Sequence, residues 1–87
     1  MVMHNAEHLL NALGDELRFR RKGLGISQEE LAHRAGVNRT YVAKLELAKN
    51  QPTLQILYKL AFALDVDLSQ FVRSLLDRAE RISKTPV

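Results

Sequence analysis

Between Ser27 and Glu46 the chain carries two short helical patterns separated by a single glycine, and this segment constrains the fold more than any other. Ser27-Gln28-Glu29-Glu30 reads as a capping box: the Ser27 hydroxyl can accept from the amide of Glu30, and the Glu30 carboxylate can reach back to the amide of Ser27. Leu31, Ala32 and Ala35 continue that helix until Gly36, where glycine takes the left-handed conformation a helix stop needs. Asn38 is a good N-cap for a following helix that runs to Glu46, with Val42 and Leu45 as its inward residues. Two helices joined by a one-glycine turn are a helix-turn-helix by spacing. Small Ala32 lets the two approach, while Val37, Val42 and Leu45 fill the angle between them. Asn38, Arg39, Thr40, Tyr41 and Lys44 point away from that wedge. An outward face so rich in hydrogen-bonding groups is what a reader of the DNA major groove requires.

The flanking sequence is helical as well, and no stretch alternates like a strand for more than a few residues. A first helix is expected from Asn5 to Lys22, because Leu9, Leu13 and Leu17 recur every fourth residue; Gly23 and Gly25 end it. A fourth follows Pro52, capped by Thr53, with Leu54, Leu57, Leu60, Ala61 and Leu64 as its inner stripe. A fifth starts at Asp67-Leu68-Ser69-Gln70, a second capping box, and its stripe is Leu68, Phe71, Val72, Leu75, Ala79 and Ile82. The tail from Ser83, with Pro86, is expected to fray. The expected fold class is therefore all-α: a compact five-helix bundle forming one domain over residues 1–87, with its core at about 5–82.

Composition removes several alternatives. A chain of 87 residues buries only about two-thirds of the surface its unfolded form exposes, which leaves no room for a second, ligand-sensing domain. There is no cysteine, so neither a disulfide scaffold nor a Cys-ligated zinc site is available. No apolar run approaches the roughly 18 residues of a membrane span. The N-terminus lacks a basic-then-apolar secretory signal, so a cytoplasmic location and no membrane partner are expected. His4 and His8 stand four residues apart, but two ligands beside a terminus rarely make a metal site; no metal and no cofactor are expected. Nothing groups a nucleophile, a base and an orienting residue, and no enzyme is expected. The net charge of +3 is unevenly spread: Arg18 to Lys49 carries eight basic and three acidic residues, or +5, and the remainder carries −2. A basic middle segment suits a polyanionic partner.

With these residues in place, the sequence resembles the lambda-repressor-like helix-turn-helix proteins of the Cro or Xre family. The resemblance runs from about Leu13 to Phe71. It is carried by Ser27-Gln28-Glu29-Glu30-Leu31-Ala32, Ala35-Gly36-Val37, Arg39-Thr40-Tyr41-Val42 and Glu46, and by Pro52-Thr53-Leu54 with Leu57, Leu60, Ala61 and Leu64-Asp65-Val66. It implies a five-helix fold whose third helix lies in the major groove of double-stranded DNA. Two positions depart from the family pattern. Ala48 stands where the loop after the third helix usually has glycine, and would cost about 1 kcal/mol if held at positive φ. Arg20 stands where the first helix usually has an apolar residue, with Phe19 expected to supply the missing core volume.

Roles follow from residue chemistry and from the resemblance. Arg39 and Lys44 are the leading base readers, since an arginine fork matches guanine O6 and N7. Thr40 can offer its methyl to thymine or its hydroxyl to a base or phosphate. Asn38 is first an N-cap and only in addition a DNA contact. The resemblance gives Gln28 two tasks, binding a phosphate and buttressing the recognition helix. Tyr41 can reach a phosphate or pack on the wedge. Lys49 and Asn50 lie in the loop that faces the DNA backbone in the family. Arg21 is expected to pair with Glu46, a structural contact like those of Ala32 and Gly36. Useful specificity generally needs two half-sites, so a homodimer is expected, built from Phe62, Val66, Val72, Leu76 and Ala79. Within the family, chains of this size resemble restriction-modification controllers, phage-type repressors and antitoxins. A protein partner, or a protein-interaction module that does not read DNA, stands as the alternative.

Overall fold

The computed structural model describes residues 6–84, with side chains over residues 8–82. His4 and most of the tail expected to fray lie outside the described residues. Five helices follow in order: α1 (Ala6–Gly23), α2 (Gln28–Ala35), α3 (Arg39–Glu46), α4 (Leu54–Ala63) and α5 (Leu68–Lys84). Among the described residues there is no strand.

Three helices start on side-chain caps to the amide of their third residue. Ser27 accepts from the amide of Glu30 at 3.0 Å, Asn38 from that of Tyr41 at 2.8 Å, and Thr53 from that of Ile56 at 3.1 Å. The capping box at Ser27 is half-formed, since the Glu30 carboxylate turns to Arg34 instead, at 3.0 Å. At Asp67 no box forms, but its carboxylate caps α5 through the second helical residue, accepting from the amide and the hydroxyl of Ser69.

α1 to α4 all end in one way. A residue in the left-handed region follows the helix, and the next amide returns to the carbonyl five residues back. The left-handed residues are Gly25, Gly36, Ala48 and Asp65, with φ of 70°, 69°, 59° and 58°. The returning bonds are Ile26 to Arg21, Val37 to Ala32, Lys49 to Lys44 and Val66 to Ala61, at 2.8–3.2 Å. Ile26, Val37 and Val66 then pack against the core, so each stop also aims the next segment inward. Ala48 carries the cost the sequence flagged. Ala48→Gly is expected to stabilise the fold by about 1 kcal/mol, read as a higher urea midpoint at unchanged slope. An unchanged midpoint would show that the loop relaxes out of the left-handed region in solution.

α1 packs on α5 and α3, α2 on α3 and α4, and α4 on α5. Phe71, Leu17, Leu31, Leu45, Leu60 and Val42 are the large side chains sealed at the centre. Three expectations about packing change. Leu54, read as inward, is 72% exposed, because the inner face of α4 is set by Leu60, Ala61 and Ala63. Phe19 is 66% exposed and fills no core volume; the Arg78 guanidinium lies over its ring, 5.0 Å from the centroid. The position of Arg20 is met by polar bonds instead. Glu16, buried between α1 and α5, accepts from Arg20 and Arg78, and Arg20 also donates to Ser74 at 3.1 Å. Glu16 precedes the sealed Leu17 and stands three residues after Leu13, and an acid at such an inward position is the signal for this seam.

Candidate nucleic-acid interface

α3 is held from behind by a network centred on Glu46, its last residue. The Glu46 carboxylate is buried and receives Arg21 Nε at 2.6 Å, Arg21 Nη2 at 3.0 Å and Gln28 Nε2 at 3.0 Å. Arg21 also donates to the carbonyl of Ile26 at 2.9 Å, and Arg18 to the backbone carbonyl of Glu46 at 3.2 Å. One carboxylate thus ties α1, the start of α2 and the end of α3 together. Burial works to raise the Glu46 carboxyl, but hydrogen bonds from Arg21 and Gln28 and the charges of Arg21 and Arg18 outweigh it and hold it below its ordinary range. The hydrogen bond to Glu46 correspondingly raises Arg21.

α1 supports α3 by close approach as well. A Cβ built on Gly14 would stand 2.7 Å from the Glu46 carbonyl oxygen and 2.9 Å from that of Leu45. Only a residue without a side chain lets α1 lie this near the end of α3. Gly14 sits inside a helical pattern and its role is set by a distant segment, so local pattern gives no signal of it.

The opposite side of α3 is polar. Arg39, Thr40 and Lys44 are exposed, and Thr40 and Lys44 share one face a turn apart. No acid stands in the first turn of α3. Asn38 spends its carbonyl oxygen on the cap, leaving its amino group to face outward. Tyr41 is half-buried, its ring packed against the core. Exposed Lys49 and half-buried Asn50 follow in the loop after Ala48. Leu47, exposed at the end of α3, was not among the candidate residues. Gln28 sits at the first turn of α2 with its amide fixed by Glu46.

Of the residues read as a pairing surface, Phe62 and Leu76 are exposed and Val66 and Val72 half-buried. Ala79 is 4% exposed and packs inside the chain, so it is not available to a second copy. Val72 and Leu76 line a groove on α5 with Ser69 and Arg73. Phe62 and Val66 line a separate hollow with Tyr58 and Leu68. Among the described residues no cluster of His, Asp or Glu is arranged to hold a metal ion, and no helix is long and apolar enough to cross a membrane.

Comparisons with known proteins agree with this geometry. The helix-turn-helix family model HTH_3 matches residues 17–71, from within α1 to the start of α5. An HTH-type transcriptional regulator of Methanothermobacter thermautotrophicus is 44% identical over 48 residues, covering 55% of this chain and 70% of the relative. The restriction-modification controller protein C.AhdI of Aeromonas hydrophila is 37% identical, with a TM-score of 0.69 over 71% of this chain and 94% of its own. The controller C.Esp1396I, seen as a tetramer with its natural 35 base-pair operator, is 25% identical, with a TM-score of 0.76 over 83% of this chain and 95% of its own. This fold is shared with DNA-binding regulators rather than with an enzyme family, and with more than half its length matched, the chain belongs to the Cro/Xre-type helix-turn-helix family of transcriptional regulators.

Proposed function

We propose that the chain is a sequence-specific regulator that binds a pseudo-palindromic operator as a homodimer, with α3 in the major groove, and that it acts in the cytoplasm as one domain. The observation that carries this reading is the two-sidedness of α3. Its inner side is clamped by Glu46 to two other helices, while its outer side presents Arg39, Thr40 and Lys44 to solvent. A helix locked this way holds its readers in a fixed register, which base recognition needs. Arg39 and Lys44 read base edges, with Thr40 between them and the amino group of Asn38 beside them. Gln28, Tyr41, Lys49 and Asn50 hold the phosphate backbone and set the register. The likeness to two restriction-modification controllers favours a controller role. Two copies place their α3 helices about 10 bp apart, or a multiple, on one face of the duplex. Val72 and Leu76, with Phe62 and Val66 at the margin, supply the pairing surface.

Selection of bound sites from random-sequence DNA tests the reading; no recovered motif at low salt would sink it. Arg39→Ala and Lys49→Ala divide the roles. The first is expected to relax preference at one position, a discrimination of about 1–3 kcal/mol. The second is expected to weaken all sequences alike and to flatten the slope of log affinity against log salt by about one. Identical behaviour in the two variants would mean that base and phosphate contacts are wrongly divided.

A further inference from the structure

α1 carries two sets of ties on two faces. Gly14, Arg18 and Arg21 recur at helical spacing, and all three meet α3: Gly14 lies against its last carbonyls, and Arg18 and Arg21 donate to Glu46. Glu16 and Arg20, one turn apart, form the other face and meet α5, where Glu16 accepts from Arg78 and Arg20 donates to Ser74 at 3.1 Å. α1 thus packs on both α3 and α5, the helices proposed to read DNA and to pair. α5 is two-sided in the same way. Ser74 and Arg78, one turn apart, face α1, while Val72 and Leu76, also one turn apart, line the groove on another side. The Glu16 side chain is 3% exposed and is held by two arginines at once. Charge-assisted bonds are directional, so an acid held from two helices fixes an angle that apolar packing alone leaves freer.

We infer that Glu16 is a positioning residue: with Arg20 and Arg78 it fixes the angle between the pairing helix and the reading helix, and so sets the half-site spacing that the protein accepts. The inference rests on the operator-binding reading with pairing through α5. Duplex DNA turns once in about 10–10.5 bp over roughly 34–36 Å, so one inserted base pair moves a half-site by about 3.4 Å and turns it by about 35°. A pair whose α3 helices are tied through α1 to α5 cannot follow that displacement without breaking a tie. A pair with a loosened α1–α5 seam can follow it. Glu16 is buried and reads no base, so its effect falls on spacing and not on the sequence of a half-site.

Binding is measured to a selected operator, to the same operator with one base pair inserted or removed between its half-sites, and to a single half-site. Arg78→Met is the main variant, because it keeps an apolar stem beside Phe19 and leaves the bond between Glu16 and Arg20 in place. It is expected to lower the wild-type preference for the correct spacing at least about fivefold, while affinity for the single half-site changes by less than about twofold. Glu16→Gln removes the charge that both arginines use and is expected to lower the preference further. Leu31→Val opens a small cavity in the core on α2 and should keep the wild-type preference, which separates angle from stability. In sedimentation Arg78→Met is expected to keep the wild-type mass. A monomeric Arg78→Met would overturn the inference, since lost pairing alone would then explain a lost preference. Wild-type preference in Arg78→Met would overturn it too, as would equal losses in Arg78→Met and Leu31→Val. A wild type that binds its selected sites with no preferred spacing would instead remove the paired-operator reading, and the inference with it.

Discussion

Glu46→Ala is expected to cost about 3–5 kcal/mol, since it leaves the Arg21 guanidinium buried without its partner. For a domain of this size that is a large part of the total stability. Much of the loss is the isolated charge rather than the worth of the pair. The double variant Arg21→Met, Glu46→Leu is therefore expected to recover most of it in urea unfolding. DNA binding should not recover in step, because Gln28 has then lost the oxygen that fixes its amide. A double variant that regains both stability and affinity would show that Gln28 needs no such orientation. Acid titration gives an independent reading. The Glu46 carboxyl is lowered from its ordinary value of about 4.5, so its contribution is present in full above that pH and is lost as the pH falls toward the lowered value. The stability gap between wild type and Glu46→Gln should accordingly shrink below about pH 4.5. A gap constant from pH 7 to 3 would contradict the lowered carboxyl.

Gly14→Ala reverses a familiar sign. In a solvent-facing helix the change would gain about 1 kcal/mol through helix propensity. Here the new methyl meets two backbone carbonyls at the end of α3, which cannot swing aside as a side chain could. Overpacking of this kind costs about 1–3 kcal/mol, and α1 must retreat from α3 to relieve it. A net loss of up to about 2 kcal/mol is expected, the upper end corresponding to roughly 8–16 °C in Tm for a domain of this length. The retreat also strains the Arg21 and Arg18 bonds to Glu46, so operator affinity should fall at temperatures where the variant is fully folded. A variant as stable as wild type would mean that the helices stand further apart in solution.

Much of the fold was legible because its boundaries are set within a few residues. Ser27, Asn38 and Thr53 cap where their chemistry predicts, and Gly36 ends α2 with the backbone only glycine adopts freely. At Asp67 the reciprocal box fails but the cap stands, because its carboxylate takes the amide and hydroxyl of Ser69 rather than the amide of Gln70. Leu54 misled because the first turn of a helix can point past the core even when its spacing fits. Phe19 misled because size suggested burial, while the seam it adjoins is filled by Glu16 and two arginines. Gly14 depends on how near another helix comes, which no local pattern contains, whereas Ala79 was legible in the inner stripe of α5 and its burial there removes it from a pairing face. The polar face of α3 was legible as a set of residues. Which of them touches a base is a property of the complex with DNA, and the sequence narrows it only through side-chain chemistry.

The packing of α5 on α1 has a consequence for how the protein is made. Phe71, one of the large side chains sealed at the centre, belongs to α5, and Arg78 closes the seam over Glu16. On a ribosome, α1 to α4 emerge first, including every residue proposed to touch DNA. Until α5 follows, the site that Phe71 fills lacks its occupant and Glu16 lacks Arg78, one of its two arginine partners. The nascent helix-turn-helix therefore has all the residues of its Glu46 clamp before α5 arrives to close the core behind it. A chain halted before residue 68 would leave that apolar hollow exposed, a target for quality-control proteases rather than a weaker regulator.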